Sequence, residues 1–298
     1  MKKFFITIVA LGTLISCSKD EVVNMSKMPI AFGGTFVDNS TRATDPSYSA
    51  NDITSFKVYG TIEGNNIFNG VTIEKSSADY GSAWTQVDGQ KQYWVDGADY
   101  VFVGIVDGDK SGVTTTTTNT TTGLPTSISY KADGATDLLC QTVEMTAGEN
   151  ENRLVAFSFT HLLSKVYFTF VSTSQPLAVT DVKVTGHFAK GTYTINDQQW
   201  SETTPATTAL IFGDADGQVT TEGTTSQKAC LIIPGKQTWT VSLNQGDEKK
   251  TATLTDFVFE PNKAYNILVT LQGASQITFT VNNLEAWDAE EKNVNLNF

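Results

Sequence analysis

Apolar side chains recur at every second position along much of this chain, and this period constrains its fold more than any other feature. Residues 166–170, 267–271 and 277–281 each alternate in this way. An extended strand points successive side chains to opposite faces, so a period of two is typical of strands with one buried face. Clusters of Gly, Asn and Asp separate the runs, as turns between strands require. Because no long amphipathic helical stretch interrupts them, the sequence predicts an all-β chain of sandwiches with Greek-key connections.

The length of the chain suits two ordinary domains. It has 298 residues, of which 40% are hydrophobic and 17% charged, which is a globular composition. A polar break falls at residues 147–152, and there we place a boundary between an N-terminal sandwich, residues 43–150, and a C-terminal sandwich, residues 151–298. The threonine-rich tract at residues 114–122 is predicted to be an exposed loop.

The first residues have the anatomy of an export signal. Lys2 and Lys3 precede an apolar run, residues 4–15, that is shorter than the roughly 20 residues needed to span a bilayer. We assign residues 1–16 to a signal peptide. Its Leu-Ile-Ser-Cys ending resembles a bacterial lipobox, which predicts cleavage before Cys17 and acylation of that cysteine by fatty acids such as palmitate. An ordinary signal peptide followed by a chance cysteine is the alternative.

The segment after Cys17 bears on the final location. Residues 18–21, Ser-Lys-Asp-Glu, resemble the signal that sends lipoproteins of Bacteroidota to the outer face of the outer membrane. A solvated polar tether is the alternative interpretation of so short a segment. Two or more acyl chains anchor a protein stably, so we expect an outer-membrane lipoprotein that faces the cell surface.

The charge of the chain excludes one class of partner. Its formal net charge is −12. An acidic body repels phosphate backbones, and nucleic acid is therefore not an expected partner.

Two cysteines other than Cys17 sit in apolar company. Cys140 follows two leucines, and Cys230 precedes a Leu-Ile-Ile run. Free cysteine in such surroundings behaves as a small buried hydrophobe. Export makes a disulfide between the two an alternative, although their spacing matches no known framework.

No arrangement of residues indicates catalysis, a cofactor or a metal. The chain has no Gly-rich phosphate loop, no His-Glu-x-x-His and no Gly-x-Ser-x-Gly. His161 has no second ligand at metal-binding spacing, so we predict a hydrogen-bonded structural histidine. Asp214 and Asp216 form half of a calcium loop without its remaining ligands, and a turn is the better interpretation.

An aromatic set in the N-terminal half has two interpretations. Aromatic rings dominate protein cores, and core packing is therefore favoured over a sugar-stacking platform. The set consists of Trp84, Tyr93, Trp94, Tyr100 and Phe102.

Two segments, one near each end, present apolar side chains at the same period and are predicted to fill similar pockets. In the first, these residues are Ile30, Phe32 and Phe36. In the second, they are Val294, Leu296 and Phe298. The alternative for the second segment is a plain edge strand of the C-terminal sandwich.

A cleavage site follows the first of these segments. Arg42 and Ala43 lie in a run of small polar residues, and exposed loops of this kind are preferred sites of proteolytic nicking. The other arginine in the chain, Arg153, adjoins the apolar start of a predicted strand. Exposure therefore favours the Arg42–Ala43 bond as the place where the chain is cut, and a cut there would remove residues 17–42.

The order of these features resembles the fimbrillin, or type V pilin, family of Bacteroidales. The more specific parts are the Phe-x-His-x-x-Ser-Lys-Val segment at residues 159–166 and the leader of lipobox, strand and arginine. Aromatic strands at residues 56–60 and 100–102 follow in a similar order. The resemblance covers nearly the whole chain.

The resemblance implies a structural subunit of a pilus and not an enzyme. It implies two transthyretin-like β-sandwich domains in tandem. It also implies a surface lipoprotein whose first strand, from Ile30 to Phe36, is displaced after an arginine-specific protease cleaves the chain at Arg42. A terminal strand of another pilin subunit, predicted to be Val294 to Phe298, would then fill the groove in a homopolymer or a mixed filament that supports adhesion. The alternative is an uncut surface lipoprotein that acts as adhesin, tip or anchor and binds a glycan or a host protein. A hydrolase on the same fold is disfavoured because no catalytic site is recognisable.

Overall fold

The computed structural model of the protein describes residues 28–37, 53–76, 83–148, 154–272 and 276–284. These ranges form strands, and no helix occurs in them, so the predicted all-β class is confirmed. No described segment is a helix long and apolar enough to cross a membrane. The strands are β1 (Ala31–Val37), β2 (Ser55–Ile62), β3 (Asn65–Lys75), β4 (Trp84–Gln86), β5 (Asp99–Val106), β6 (Val113–Thr116), β7 (Ser127–Lys131), β8 (Leu139–Thr146), β9 (Leu154–His161), β10 (Ser164–Ser172), β11 (Val179–Thr185), β12 (Phe188–Thr194), β13 (Gln199–Pro205), β14 (Leu210–Gly213), β15 (Thr224–Thr225), β16 (Cys230–Ile232), β17 (Gly235–Gln245), β18 (Glu248–Phe259), β19 (Ala264–Gln272) and β20 (Gln276–Leu284).

Seven strands form the first sheet, in the order β1-β9-β8-β5-β2-β3-β4. Neighbouring strands are antiparallel, apart from β1 and β9, which run parallel. Strand β9 has the alternating burial that a period of two predicts. Val155, Phe157 and Phe159 are buried, and the residues between them are exposed. The core on this face is rich in phenylalanine rings, including Phe56 and Phe102.

A second sheet of four strands, β13-β12-β7-β6, packs against the other face of the first sheet. Val103 and Ile105 of β5 share a core with Ile128 of β7 and Tyr193 of β12. The central strands of the first sheet are therefore covered on both faces.

Two further sheets form a sandwich in the C-terminal half. One has the order β15-β10-β19-β20, with β16 also paired to β10, and the other has the order β14-β11-β17-β18. Phe168 of β10 and Phe212 of β14 meet between them, with ring centroids 4.7 Å apart. The alternating runs predicted at residues 166–170 and 267–271 are strands β10 and β19.

Strand pairing crosses residue 150, where the sequence analysis places a domain boundary. Strand β9 pairs with β8, and β12 pairs with β7 through five residues. The hydrogen bonding of the N-terminal sheets thus extends to residue 205, the end of β13. The division into tandem domains at residue 150 stays a prediction.

Two smaller expectations have clear outcomes. The threonine-rich tract is only partly a loop, because its first residues, up to Thr116, belong to β6 and pair with β7. β-branched threonine favours strands, and this preference outweighs the low hydrophobicity of the tract. Cys140 and Cys230 are both buried as free thiols, so they form no disulfide. Burial raises the pKa of each thiol to about 12.

Candidate functional site

Strand β1 lies at the edge of the seven-stranded sheet and is held by a strand more than a hundred residues away in sequence. Its partner on one side is β9, to which it runs parallel. Ala31, Phe32 and Gly33 align with residues 154–156 of β9, and the register then shifts before Phe36 aligns with Ser158. Three steps along β1 match two along β9, which is the geometry of a β-bulge. The pairing is therefore interrupted in its middle.

The segment that contains β1 lies in a groove with two walls. One wall is β9, and the other is formed by residues 92–94. The amide of Ile30 donates to the carbonyl of Gln92 at 2.9 Å, and the amide of Trp94 donates to the carbonyl of Met28 at 2.9 Å. Pro29 lies opposite Tyr93 between these two bonds. Proline has no amide hydrogen, and it fits here because its neighbours supply the ladder bonds. Residues 28–30 are thus held by backbone hydrogen bonds to residues 92–94, and residues 31–37 by their pairing with β9.

The side chain of Phe32 is the main apolar anchor of this segment. It is only 5% exposed. Its ring centroid lies 5.7 Å from that of Phe68, 6.1 Å from that of Phe102 and 6.3 Å from that of Phe157. Ile30 is buried in the same core. Strand β1 therefore completes the hydrophobic core of the N-terminal sheets and is not merely laid along their edge.

The structure brings two of the predicted site residues together, namely Ile30 and Phe32. The backbone of Phe36 lies in β1, but its side chain is outside the described residues. The bulge between Gly33 and Phe36 breaks the continuous two-residue period that the sequence suggested for this strand. The remaining predicted positions also lie outside the described residues, and their roles stay predictions. They are Cys17, Arg42, Ala43, Val294, Leu296 and Phe298.

Sequence reasoning did not identify residues 92–94 as part of this site. The sequence drew attention to the aromatic side chains of Tyr93 and Trp94. The segment holds β1 through backbone amide and carbonyl groups, and residue types do not reveal such bonds. Tyr93 is 42% exposed and Val95 is 53% exposed, so an apolar rim borders the groove where β1 begins. An apolar rim of this kind suits a protein contact.

The aromatic set of the N-terminal half belongs mostly to the core. Tyr100 and Phe102 are buried, and Trp84 and Trp94 pack against the same cluster. The ring of Trp94 meets that of Tyr100 edge-on, with centroids 4.7 Å apart. Core packing is thus confirmed for these four rings, while Tyr93 remains at the surface.

His161 has the structural role that was predicted for it. Its Nδ1 lies 2.8 Å from Oδ2 and 3.0 Å from Oδ1 of Asp137, and both side chains are fully buried. The pair sits where β9 ends and the chain continues into β10. Among the described residues, no three His, Cys, Asp or Glu side chains are placed to hold a metal ion. Asp214 lies in a bend directly after β14, where its Oδ1 accepts a hydrogen bond from the amide of Asp181 at 2.8 Å.

Comparison with known proteins agrees with this architecture. A family model described as fimbrillin-like matches residues 41–287. A crystal structure of a proposed cell adhesion protein from Bacteroides ovatus is similar, with a TM-score of 0.60 and 15% identity, over 88% of this chain and 98% of that one. A proposed cell adhesion protein from Bacteroides uniformis gives a TM-score of 0.56 and 17% identity, over 88% and 99% of the two chains. A fimbrial protein from Bacteroides vulgatus gives 0.54 and 15%, over 87% and 99%. No curated protein matches the chain by sequence.

Proposed function

This chain belongs to the fimbrillin-like family, and we propose that it is a pilin subunit that polymerises by exchanging β1 for a strand of another subunit. Membership of that family makes the chain a structural protein of the cell surface and not an enzyme. In the proposed cycle the precursor is exported as a lipoprotein anchored to the outer membrane through Cys17. An arginine-specific protease then cuts between Arg42 and Ala43, and β1 leaves.

The observation that carries the proposal is the groove around β1. Phe32 fills a pocket lined by three rings of the folded body, and both walls of the groove offer backbone hydrogen bonds to whatever strand occupies it. A body that has lost β1 would expose this pocket and two unpaired edges. Such an edge accepts an extended strand from another chain by β-strand addition.

Energetics favour β1 only while it is tethered. Burying a large apolar side chain such as Phe32 is worth about 1.5–3 kcal/mol, and each ladder bond adds about 0.5–1.5 kcal/mol. Ordering the strand costs about 1–2 kcal/mol per residue. The net gain is a small difference of these terms, and the tether then decides the outcome, because a short linker gives an effective concentration of about 1 mM. Cutting the chain between β1 and β2 removes that advantage.

The proposed replacement is the segment containing Val294, Leu296 and Phe298 of a second subunit. Its support is the period of two, which it shares with Ile30 and Phe32, the residues that occupy the pocket in the uncut chain. Apolar side chains at alternate positions can fill the pocket while the backbone bonds to β9 and to residues 92–94.

The test is to cut the purified full-length chain with an arginine-specific protease and to follow its size by light scattering and electron microscopy. We expect uncut protein to be monomeric and cut protein, beginning at Ala43, to form filaments. Arg42→Ala should prevent assembly, whereas Arg153→Ala, the matched arginine variant, should not.

Removal of residues 294–298 should leave the cut protein folded and monomeric. Filaments formed by that truncated protein would refute the proposed donor. If the cut protein keeps the cleaved segment, residues 17–42, bound noncovalently and stays monomeric at high concentration, strand exchange is refuted. For the anchor, Cys17→Ala should abolish labelling of the precursor by a palmitate analogue, and undiminished labelling would exclude that cysteine.

A further inference from the structure

The outer face of the second sheet, β13-β12-β7-β6, carries an open concavity of about 330 Å³. Strands β7 and β12 bury Ile128, Tyr130 and Tyr193 on their inner side. Their outward positions are polar, and they line up in register. Ser129 lies opposite Thr192, and Lys131 lies opposite Lys190.

A short chain of hydrogen bonds runs across this face. Ser129 Oγ and Thr192 Oγ1 lie 3.3 Å apart, and Thr192 Oγ1 donates to Glu202 Oε2 at 3.1 Å. Glu202 has a φ of 51°, in the left-handed region, at a register shift between β12 and β13. In a regular strand the alternation of side chains would set the side to which the Glu202 carboxylate points, and the register shift changes that alternation. The backbone is thus shaped so that an acceptor sits beside the hydroxyls.

The two lysines at one end of the concavity are the unusual feature. Like charges placed directly opposite on neighbouring strands destabilise a sheet. Within the described part of the chain, neither Lys131 nor Lys190 forms a salt bridge, although the protein has a net charge of −12 and many acids at its surface. An anion bound between the two ammonium groups would remove the repulsion.

We propose that this concavity binds an acidic saccharide, that is, a sugar unit bearing a carboxylate or a sulfate. Lys131 and Lys190 would hold the anionic group, since hydrogen bonds between ions are about twice as strong as neutral ones. Ser129, Thr192 and Glu202 would bond to the sugar hydroxyls. The volume lies at the small end of the range for ligand sites.

The site would bind weakly as a single unit. Tyr130, the aromatic residue of the lining, is buried, so the concavity offers no exposed ring on which a sugar could stack. Recognition would therefore rest on charge and hydroxyl contacts and fall steeply as salt is added. This inference does not depend on strand exchange, because none of these residues touches β1.

Titration of the purified full-length protein with three defined oligosaccharides tests the site. The probes are trigalacturonate, a sulfated chondroitin disaccharide and neutral maltotriose, followed by NMR or calorimetry at low and physiological salt. We expect binding of one or both acidic probes and none of maltotriose. The two acidic probes distinguish a carboxylate from a sulfate ligand.

Variants localise the binding. Replacing both Lys131→Gln and Lys190→Gln should weaken affinity for the acidic probe by a factor of about two to thirty, as expected for two exposed charge contacts, and should raise the Tm of the free protein. Lys228→Gln, an exposed lysine in the loop between β15 and β16, is the matched control and should leave affinity unchanged. Thr192→Val keeps both lysines and should weaken binding of the saccharide but not of inorganic sulfate.

Three results would overturn the proposal. The first is that neither acidic probe binds. The second is that maltotriose binds as tightly as the acidic probes. The third is that Lys228→Gln loses as much affinity as the double lysine variant.

Discussion

The described part of the chain contains two parallel strand pairs, β1–β9 and β10–β19, and they are built in opposite ways. The first lies at the edge of its sheet and has five aligned residue pairs with a register break between Gly33 and Phe36. The second has eight consecutive aligned pairs, and β19 is covered on its far side by β20. Parallel pairing alone therefore does not distinguish the two pairs. Position in the sheet and continuity of register distinguish β1, the strand for which exchange is proposed, from β10 and β19.

The two pairs are also directly connected, because β9 continues into β10. His161 ends β9, and Ser164 begins β10, where its Oγ donates to the carbonyl of Glu260 at 2.6 Å. A change in the occupant of the β1 groove would thus act on a strand that is covalently continuous with the C-terminal core.

The largest expected effect compares one ring from each pair. Phe32→Ala and Phe170→Ala each remove a buried phenylalanine and should lower the free energy of unfolding of the intact chain by about 3–5 kcal/mol. The two variants should differ after the chain is cut between β1 and β2. Cut Phe170→Ala should keep its loss of stability, whereas cut Phe32→Ala should release its leader faster, by a factor between about 100 and about 4,000 at about 1.4 kcal/mol per factor of ten.

Urea unfolding of the intact variants and the rate of leader release from the cut ones measure this difference. If Phe32→Ala leaves the free energy of unfolding unchanged, the ring is not a structural anchor, and β1 is held by backbone bonds alone.

A smaller effect is expected at the junction of the two pairs. Asp137→Ala leaves His161 buried without the carboxylate that contacts its Nδ1, and a buried polar group deprived of its partner costs about 1–3 kcal/mol. Asp109→Ala removes a carboxylate from an exposed pair with Lys57, at 3.7 Å, and should cost less than about 1 kcal/mol. Equal losses in the two variants, measured by urea unfolding, would show that the Asp137–His161 contact adds nothing to the junction.

Alkaline pH should weaken the C-terminal core through its buried thiol and phenol. Burial raises the pKa of Cys230 and of Tyr265 to about 12. The folded state therefore holds these protons more tightly than the unfolded state does. Their contribution to the free energy of unfolding is complete below the pKa that each group has in the unfolded chain, and it is lost as the pH rises towards 12. The thiol alone should account for a loss of about 1 kcal/mol near pH 9.5. Unfolding midpoints at pH 8 and pH 9.5 measure it, and Cys230→Ala should flatten the slope; an unchanged slope would exclude this thiol as its source.

The contrast between the two pairs also shows what the sequence could predict. The period of two located β10 and β19 and placed Ile30 and Phe32 on an inward face, because alternation reports which side chains a strand buries. Alternation does not report which strand is the neighbour, so the parallel pairing of β1 with β9 and the pairing of β12 with β7 were not predicted. The register break in β1 was also missed, since a bulge changes the period without changing the residue types.

The smallest expected effect concerns Gly33, at the break in the β1–β9 register. A Cβ added there would lie 3.0 Å from Cδ1 of Leu154, and that side chain is 59% exposed and has room to move. Alanine also restricts the unfolded chain, which favours folding by about 0.4–1 kcal/mol where the backbone permits it. These two terms nearly cancel, so Gly33→Ala should change the free energy of unfolding by less than about 0.5 kcal/mol. Gly60 in β2 is the matched contrast, because a Cβ there would lie 2.8 Å from Phe102 and 3.0 Å from Phe68, both buried. Gly60→Ala should therefore cost about 1–3 kcal/mol. A loss of that size at Gly33 would mean that the edge pair is packed as tightly as the interior of the sheet. The proposed departure of β1 would then have to rest on cleavage of the chain alone.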